Sequence, residues 1–309
     1  MSISVKKRKD YIVGNLMESV AVLPGLLLVV IALTLFLRST PILFDIPLKD
    51  LILGTTWLPT EGKFGFMVAI TGTLIVTLIA MIIAIPLSIL SAIYLAEYAS
   101  KKVRSMVLPL IDLLSSIPPV VYGAWGVLVI VPMISEISSI IGKYNLPFLT
   151  STGYSAGYCV LSGGIVLAIM VFPLIISITE QVLRTVPSDV KEASLSVGAT
   201  RWQTIKHVET RIVFSGIIAA VILGFSRALG ETMAVLMVVG NVLKVPRSIF
   251  DPAYPLIALI ANNYGEMMSI PLYESAMLLA ALILMLVVLF FTIIARLTLI
   301  RIERRLADE

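Results

Sequence analysis

In the stretch GFSRALGETMAV, residues 224–235, Arg227 and Glu231 stand four residues apart in a segment that is otherwise apolar. A guanidinium presents a rigid, planar fork of donors that matches the paired oxygens of a phosphate-like oxyanion. In hydrocarbon each such charge costs about 2.5–3.5 kcal/mol at the centre of a helix, so the pair needs something to offset it. Two arrangements do so. In one, the side chains sit one helical turn apart on one face and neutralise each other as an intrahelical ion pair. In the other, Arg227 meets an oxyanion in a translocation pathway while Glu231 holds it in place and trades places with the anion, keeping binding weak enough for release. Intramembrane ionisable residues are functional by default, which favours the second.

A second constellation lies just upstream, in RTVPSDVKEASLSVGATRWQTIKHVETR, residues 184–211. Pro187 or Ser188 starts a short helix with Asp189 in its opening turn, where a negative charge is stabilised. Gly198 supplies the left-handed residue that ends it. Thr200 then caps a second helix, with Gln203 three residues on completing a capping box, and Trp202, Ile205 and Val208 form its apolar face. A helix-turn-helix in a basic loop invites a DNA-binding reading. Apolar segments abut it on both sides and leave no third helix for a core, so nucleic acid is not expected as a partner.

The elements that must position these residues are membrane spans. Of 309 residues 59% are hydrophobic and 14% charged, and the mean hydropathy is +1.03, outside the balance of a soluble domain. A hydrocarbon layer of about 30 Å needs about 20 apolar helical residues. Six stretches meet that length, at roughly 19–37, 66–95, 106–134, 158–183, 212–240 and 272–300. The expected fold is therefore an all-α integral membrane protein of six helices. If the layer begins near Gly216, Arg227 lies about 16 Å in, close to the midplane. Pro86, Pro109 and the pair Pro118-Pro119 break the second and third spans. SSIPPVVYG (115–123) is expected to be irregular, either as a packing kink or facing a pathway. DPAYPLIALIANNYGEM (251–267) holds an apolar run too short to span, read as a short interfacial or re-entrant helix.

Basic residues orient the bundle. Sixteen of the 23 Lys and Arg fall in the N-terminal tail, the loops after the second and fourth spans and the C-terminal tail, and six, Lys143 among them, fall on the other side. The positive-inside rule then places both termini in the cytoplasm. The first apolar stretch is too long for a signal-peptide core and is kept as a span. Cys159 is the only cysteine and His207 the only histidine, which removes disulfides, CxxC metal sites and most His-based catalysis. Asp112 and Glu180 fall near cytoplasmic span ends, where an interfacial charge is the ordinary explanation, and no nucleophile and base motif accompanies them. No GxxxxGK[ST] loop occurs, so ATP chemistry, if used, belongs to another subunit.

EASLSVGATRWQTI resembles the EAA motif of ABC-importer permeases, E-A-A-x-x-x-G. Glu192, Ala193 and Gly198 stand in the matching positions and Ser194 replaces the second alanine. The resemblance implies that this loop docks into a groove on an ATPase subunit. Small Ala193, Ser194 and Gly198 permit close approach, and Glu192 offers a charge to a basic partner. The family pattern usually closes with Leu-Pro, where this chain has Thr210 and Arg211. RALGETMAV followed by VVGN (227–241), TTWLPTEGKFGF (55–66), SIPPVVYGAWG (116–126) and EQVLRTVPSDVKEASLSVGATRW (180–202) resemble the phosphate-specific permeases of the PstC type more closely than their PstA sisters.

That family implies a type I importer permease fold: a tail, first span and outer loop over 1–65, a permease core over 66–300 with the coupling loop 184–211, and a tail over 301–309. It implies a PstA-type second permease, a dimer of ATPase subunits that bind ATP and Mg, and an external phosphate-binding protein. It carries Arg227 and Glu231 as its charged pair, and no cofactor in this chain. The competing expectations are a permease for sulfate, molybdate or tungstate, and an autonomous secondary transporter or channel. An intramembrane enzyme is the weakest reading.

Overall fold

The computed structural model describes residues 3–141, 157–265 and 271–307, so Lys143 of the outer basic count and Glu266 and Met267 of the 251–267 stretch lie outside the described residues. The chain begins with α1 (Ile3–Asp45), a short α2 (Leu48–Leu53) and a small antiparallel hairpin of β1 (Trp57–Leu58) and β2 (Lys63–Phe64). Then come α3 (Met67–Ile93), α4 (Lys101–Ser116), α5 (Pro119–Trp125), α6 (Val131–Ile141) and α7 (Val160–Leu183). The loop helices α8 (Ser188–Ser196), α9 (Arg201–Thr204) and α10 (Thr210–Ile212) lead into α11 (Phe214–Leu229), α12 (Met233–Val238), α13 (Leu256–Asn263) and α14 (Pro271–Ala307). Wider π-helical turns extend α3 (Tyr94–Tyr98), join α5 to α6 (Gly126–Ile130) and join α9 to α10 (Ile205–Glu209).

Among the described residues five stretches are long and apolar enough to cross a membrane: Val13–Asp45, Met67–Tyr98, Pro119–Ile141, Val160–Leu183 and Leu272–Ile300. A sixth candidate is the pair Arg201–Ile212 and Phe214–Leu229, bent by 74° at Val213. Three predicted spans change shape. The first is longer than 19–37. The third, expected over 106–134, divides: Ile117 and Pro118 are both extended, with ψ 129 and 138, because a residue before proline is pushed out of the α region and here two consecutive residues precede one. The fifth, expected as one helix over 212–240, stops at Leu229 and resumes at Met233. Gly230, a poor helix former, stands at the stop.

Packing follows membrane rules, in which small residues let backbones approach. α3 lies along α7 with Val76, Ala80 and Ala84 against Leu167, Ala168 and Val171, all buried. A Cβ on Gly164 would meet Ile79 Cγ2 at 2.5 Å, and one on Gly224 would meet Ile175 at 2.7 Å. α13 is buried between α3 and α14, and Thr73 Oγ1 of α3 accepts a 2.8 Å bond from the Leu256 amide at its start. The 251–267 segment thus does form a short helix, with its first turn buried against the bundle. At the same end Trp57, Phe64, Phe66 and Tyr273 stack with ring centroids 5.4–6.3 Å apart, fastening the hairpin to the top of α14.

Candidate functional site

Arg227 occupies the last turn of α11 and Glu231 the three-residue break before α12, both half-buried. The break removes the helical-turn spacing on which an intrahelical pair depends. Among the described residues the Arg227 guanidinium makes no ion pair and no hydrogen bond, to Glu231 or to any other group. The structure places the two in the same broken segment and leaves their charges apart. Glu231 instead lines a cavity of about 10 Å³, room for about one water, with Thr73, Thr77, Leu167, Val235 and Pro255. Next to Arg227, Ser226 and Thr292 of α14 share a 3.3 Å hydroxyl contact that fixes this turn of α11.

The second break packs on the first. A Cβ on Gly123 of α5 would come 2.6 Å from Met237 Sδ and 3.1 Å from the Ala234 Cα, so α5 and α12 touch almost backbone to backbone. Tyr122, beside that glycine, donates its hydroxyl at 2.8 Å across the proline break to the Leu114 carbonyl, which also accepts the Ile117 amide at 3.3 Å. Irregular backbone at membrane depth is tolerated only inside protein or along a cavity, and here two discontinuous helices pack on each other. Pro118-Pro119 signalled one break. Tyr122, Thr73 and Thr77 carried no signal in the sequence, since their importance lies in contacts from distant segments.

On the loop, the expected caps and turn are found, and the expected apolar face only in part. Pro187 caps α8, Asp189 is in its first turn and Gly198 has φ +89. The capping box is complete: the Thr200 amide donates to Gln203 Oε1 at 2.8 Å and the Gln203 amide to Thr200 Oγ1 at 3.3 Å. Ile205 is fully buried, whereas Trp202 is 49% exposed and does not join the packed face. Glu192, Ala193 and Gly198 are exposed, beside Val197 at 84%, and Ser194 turns inward to share a 2.9 Å hydroxyl contact with Thr204. The four motif residues thus divide into an outward face and one internal tie.

Of the two acidic residues expected at the interface, Glu180 is buried and Asp112 is exposed. Glu180 is 1% exposed, with Arg104 Nε at 3.2 Å and Arg184 Nε at 3.9 Å, and Asp112 accepts from Ser177 at 3.3 Å. Lys191 reaches inward from α8 to Glu97 Oε1 at 2.5 Å and Glu209 Oε2 at 3.1 Å. Burial works against its charge, but its hydrogen bonds to Glu97 and Glu209 and their charges hold the ammonium above the usual lysine range. Burial pushes the Glu209 carboxyl up, with the nearby Glu97 charge adding to it, because two carboxylates share one cation.

Residues 84–304 match the family model described as binding-protein-dependent transport system inner membrane component. The phosphate transport system permease protein PstC of Xylella fastidiosa strain 9a5c is 40% identical over 256 residues, 81% of this chain and 78% of that protein. The PstC of Mesorhizobium japonicum is 36% identical over 293 residues, 93% and 89% of the two chains. Among solved structures, an inward-facing MetNI methionine ABC transporter matches with TM-score 0.55 at 18% identity, over 75% of this chain and 93% of that one. That likeness concerns the fold, which is that of type I ABC importer permeases. On these matches the chain belongs to the binding-protein-dependent transport system inner membrane components, and within them to the family of PstC phosphate transport permeases.

Proposed function

We propose that this chain is one permease half of an ATP-driven importer of inorganic phosphate, with Arg227 as the transient stop for the anion. A PstA-type sister forms the other half, an ATPase pair that binds ATP and Mg docks on the 184–211 loop through Glu192, Ala193 and Gly198 while Ser194 braces the loop from within, and an external binding protein delivers phosphate. The observation that carries the reading is Arg227: an always-charged fork without a carboxylate partner among the described residues, in the last helical turn before the break in its span, in a chain similar to phosphate permeases. Release is kept possible by Glu231, one break away.

The test is uptake by the complete importer in proteoliposomes. Arg227→Ala assembles with its partners and takes up phosphate about tenfold or more slowly, the size expected for losing a charge-assisted bond of about 1.5–3 kcal/mol. Undiminished uptake by the assembled variant overturns the role. Excess sulfate, molybdate or tungstate leaves phosphate uptake intact if phosphate is the cargo, and uptake without ATPase subunits overturns the ATP-driven mechanism.

A further inference from the structure

The docking loop has an inner side as well as an outer one, and the inner side holds three charges from three segments. Glu97 stands in the π-helical turn that ends the Met67–Tyr98 span, Lys191 in α8, and Glu209 in the π-helical turn that leads through Val213 into α11. Their side chains are 9%, 22% and 2% exposed, so the cluster is largely out of water. A π turn inserts one extra residue and rotates the rest of the helix beyond it, and such turns concentrate at functional positions. Here two of them each bring a carboxylate to one ammonium. Two further contacts run in parallel: the Arg201 guanidinium lies 4.7 Å over the Tyr98 ring, and Ser194 ties α8 to Thr204.

From this geometry we infer that Lys191 is a positioning residue that couples the docking loop to two membrane spans, one ending at Glu97 and one carrying Arg227. The inference rests on the proposed reading of 184–211 as the surface that meets the ATPase. A push on the exposed side of α8 is passed through Lys191 to the end of α3 and, through Glu209 and the 74° bend, to α11, whose last turn holds Arg227. Without the ammonium, two buried carboxylates face each other with no cation between them, and the loop no longer moves with the spans. Glu192 and Ala193, next in sequence, point outward and serve the partner.

The experiment compares native, Lys191→Met, Lys191→Arg and the charge swap Glu97→Lys/Lys191→Glu in the complete importer. Lys191→Met is expected to keep binding-protein-stimulated ATP hydrolysis within about twofold while uptake per ATP falls about tenfold, in the range over which coupling free energies act. Lys191→Arg restores most of the ratio, and the swap, which keeps one cation and two anions in the cluster, restores part of it. An unchanged ratio in assembled Lys191→Met overturns the proposal, as does an equal fall of hydrolysis and uptake, which marks a merely structural residue. A readout free of any substrate uses spin labels at Ser196→Cys and Leu90→Cys. Their separation is the same with and without ATP in the native importer and changes on ATP binding in Lys191→Met. Labels that behave alike in both proteins sink the clamp, whereas a native importer that couples its labels but moves no phosphate sinks only the cargo assignment.

Discussion

At the scale of residues, Arg227 is informative because of what it lacks. A buried ion pair is strongly destabilised when one partner is removed, and a set of interlocking salt bridges would explain a midplane charge without invoking function. The structure offers Arg227 no such partner among its described residues, while elsewhere it pairs buried carboxylates such as Glu180 with guanidinium groups at 3.2 and 3.9 Å. The difference sets the sign of a prediction for Glu231. If the carboxylate competes with the anion for Arg227, the isosteric Glu231→Gln competes less well, so phosphate is held longer. The half-saturating phosphate concentration and the maximal uptake rate then fall together, each by roughly fivefold for a competition of about 1 kcal/mol. Initial-rate uptake over a range of phosphate concentrations reads both. A rise in the half-saturating concentration instead makes Glu231 a direct contributor to binding.

At the scale of elements, the governing feature is that membrane helices associate by fit, since lipid is as apolar as leucine and supplies no hydrophobic drive between them. Gly164, at the α3–α7 contact, has no room for a methyl group. Gly164→Ala therefore loses about 1–3 kcal/mol to overpacking, although alanine is the better helix former. Thermal unfolding in detergent shows it as a lowered midpoint, and an unchanged or raised midpoint means that the Ile79 side chain can give way. The same distinction between local and long-range fit explains which features are legible in the sequence. Caps and turns are legible because Thr200, Gln203, Gly198 and Asp189 act on backbone a few residues away, and the long spans because hydropathy accumulates along one helix. The break at Gly230–Thr232 is hidden because a window averaged over 212–240 is apolar whether or not the helix is continuous. Pro118-Pro119 announces irregular backbone, yet not the division of 106–134 into two helices. The Lys191 cluster joins residues 94 apart in sequence, and no local pattern announces that.

At the scale of the whole molecule, the count of crossings fixes where energy can enter. Among the described residues five helices are long and apolar enough to cross, and a sixth crossing exists only if α11, with its bent approach and its broken end, completes a passage. With five crossings the termini face opposite sides, whereas with six they face the same side. The 184–211 loop follows the fourth crossing in either case and so shares the side of the N-terminus. Sixteen of 23 basic residues gather on that side when six crossings are assumed, and with five the C-terminal group would be carried outward against the positive-inside rule. Cysteines placed at Ser2 and Ala307, in a chain whose native Cys159 is buried, and treated in intact cells with an impermeant maleimide, decide the matter. Both are expected to stay unlabelled until the cells are opened. Labelling at Ala307 alone removes α11 from the set of crossings and takes Arg227 out of the midplane. Labelling at Ser2 puts the docking loop outside, where no ATP is available, and the coupling reading falls with it.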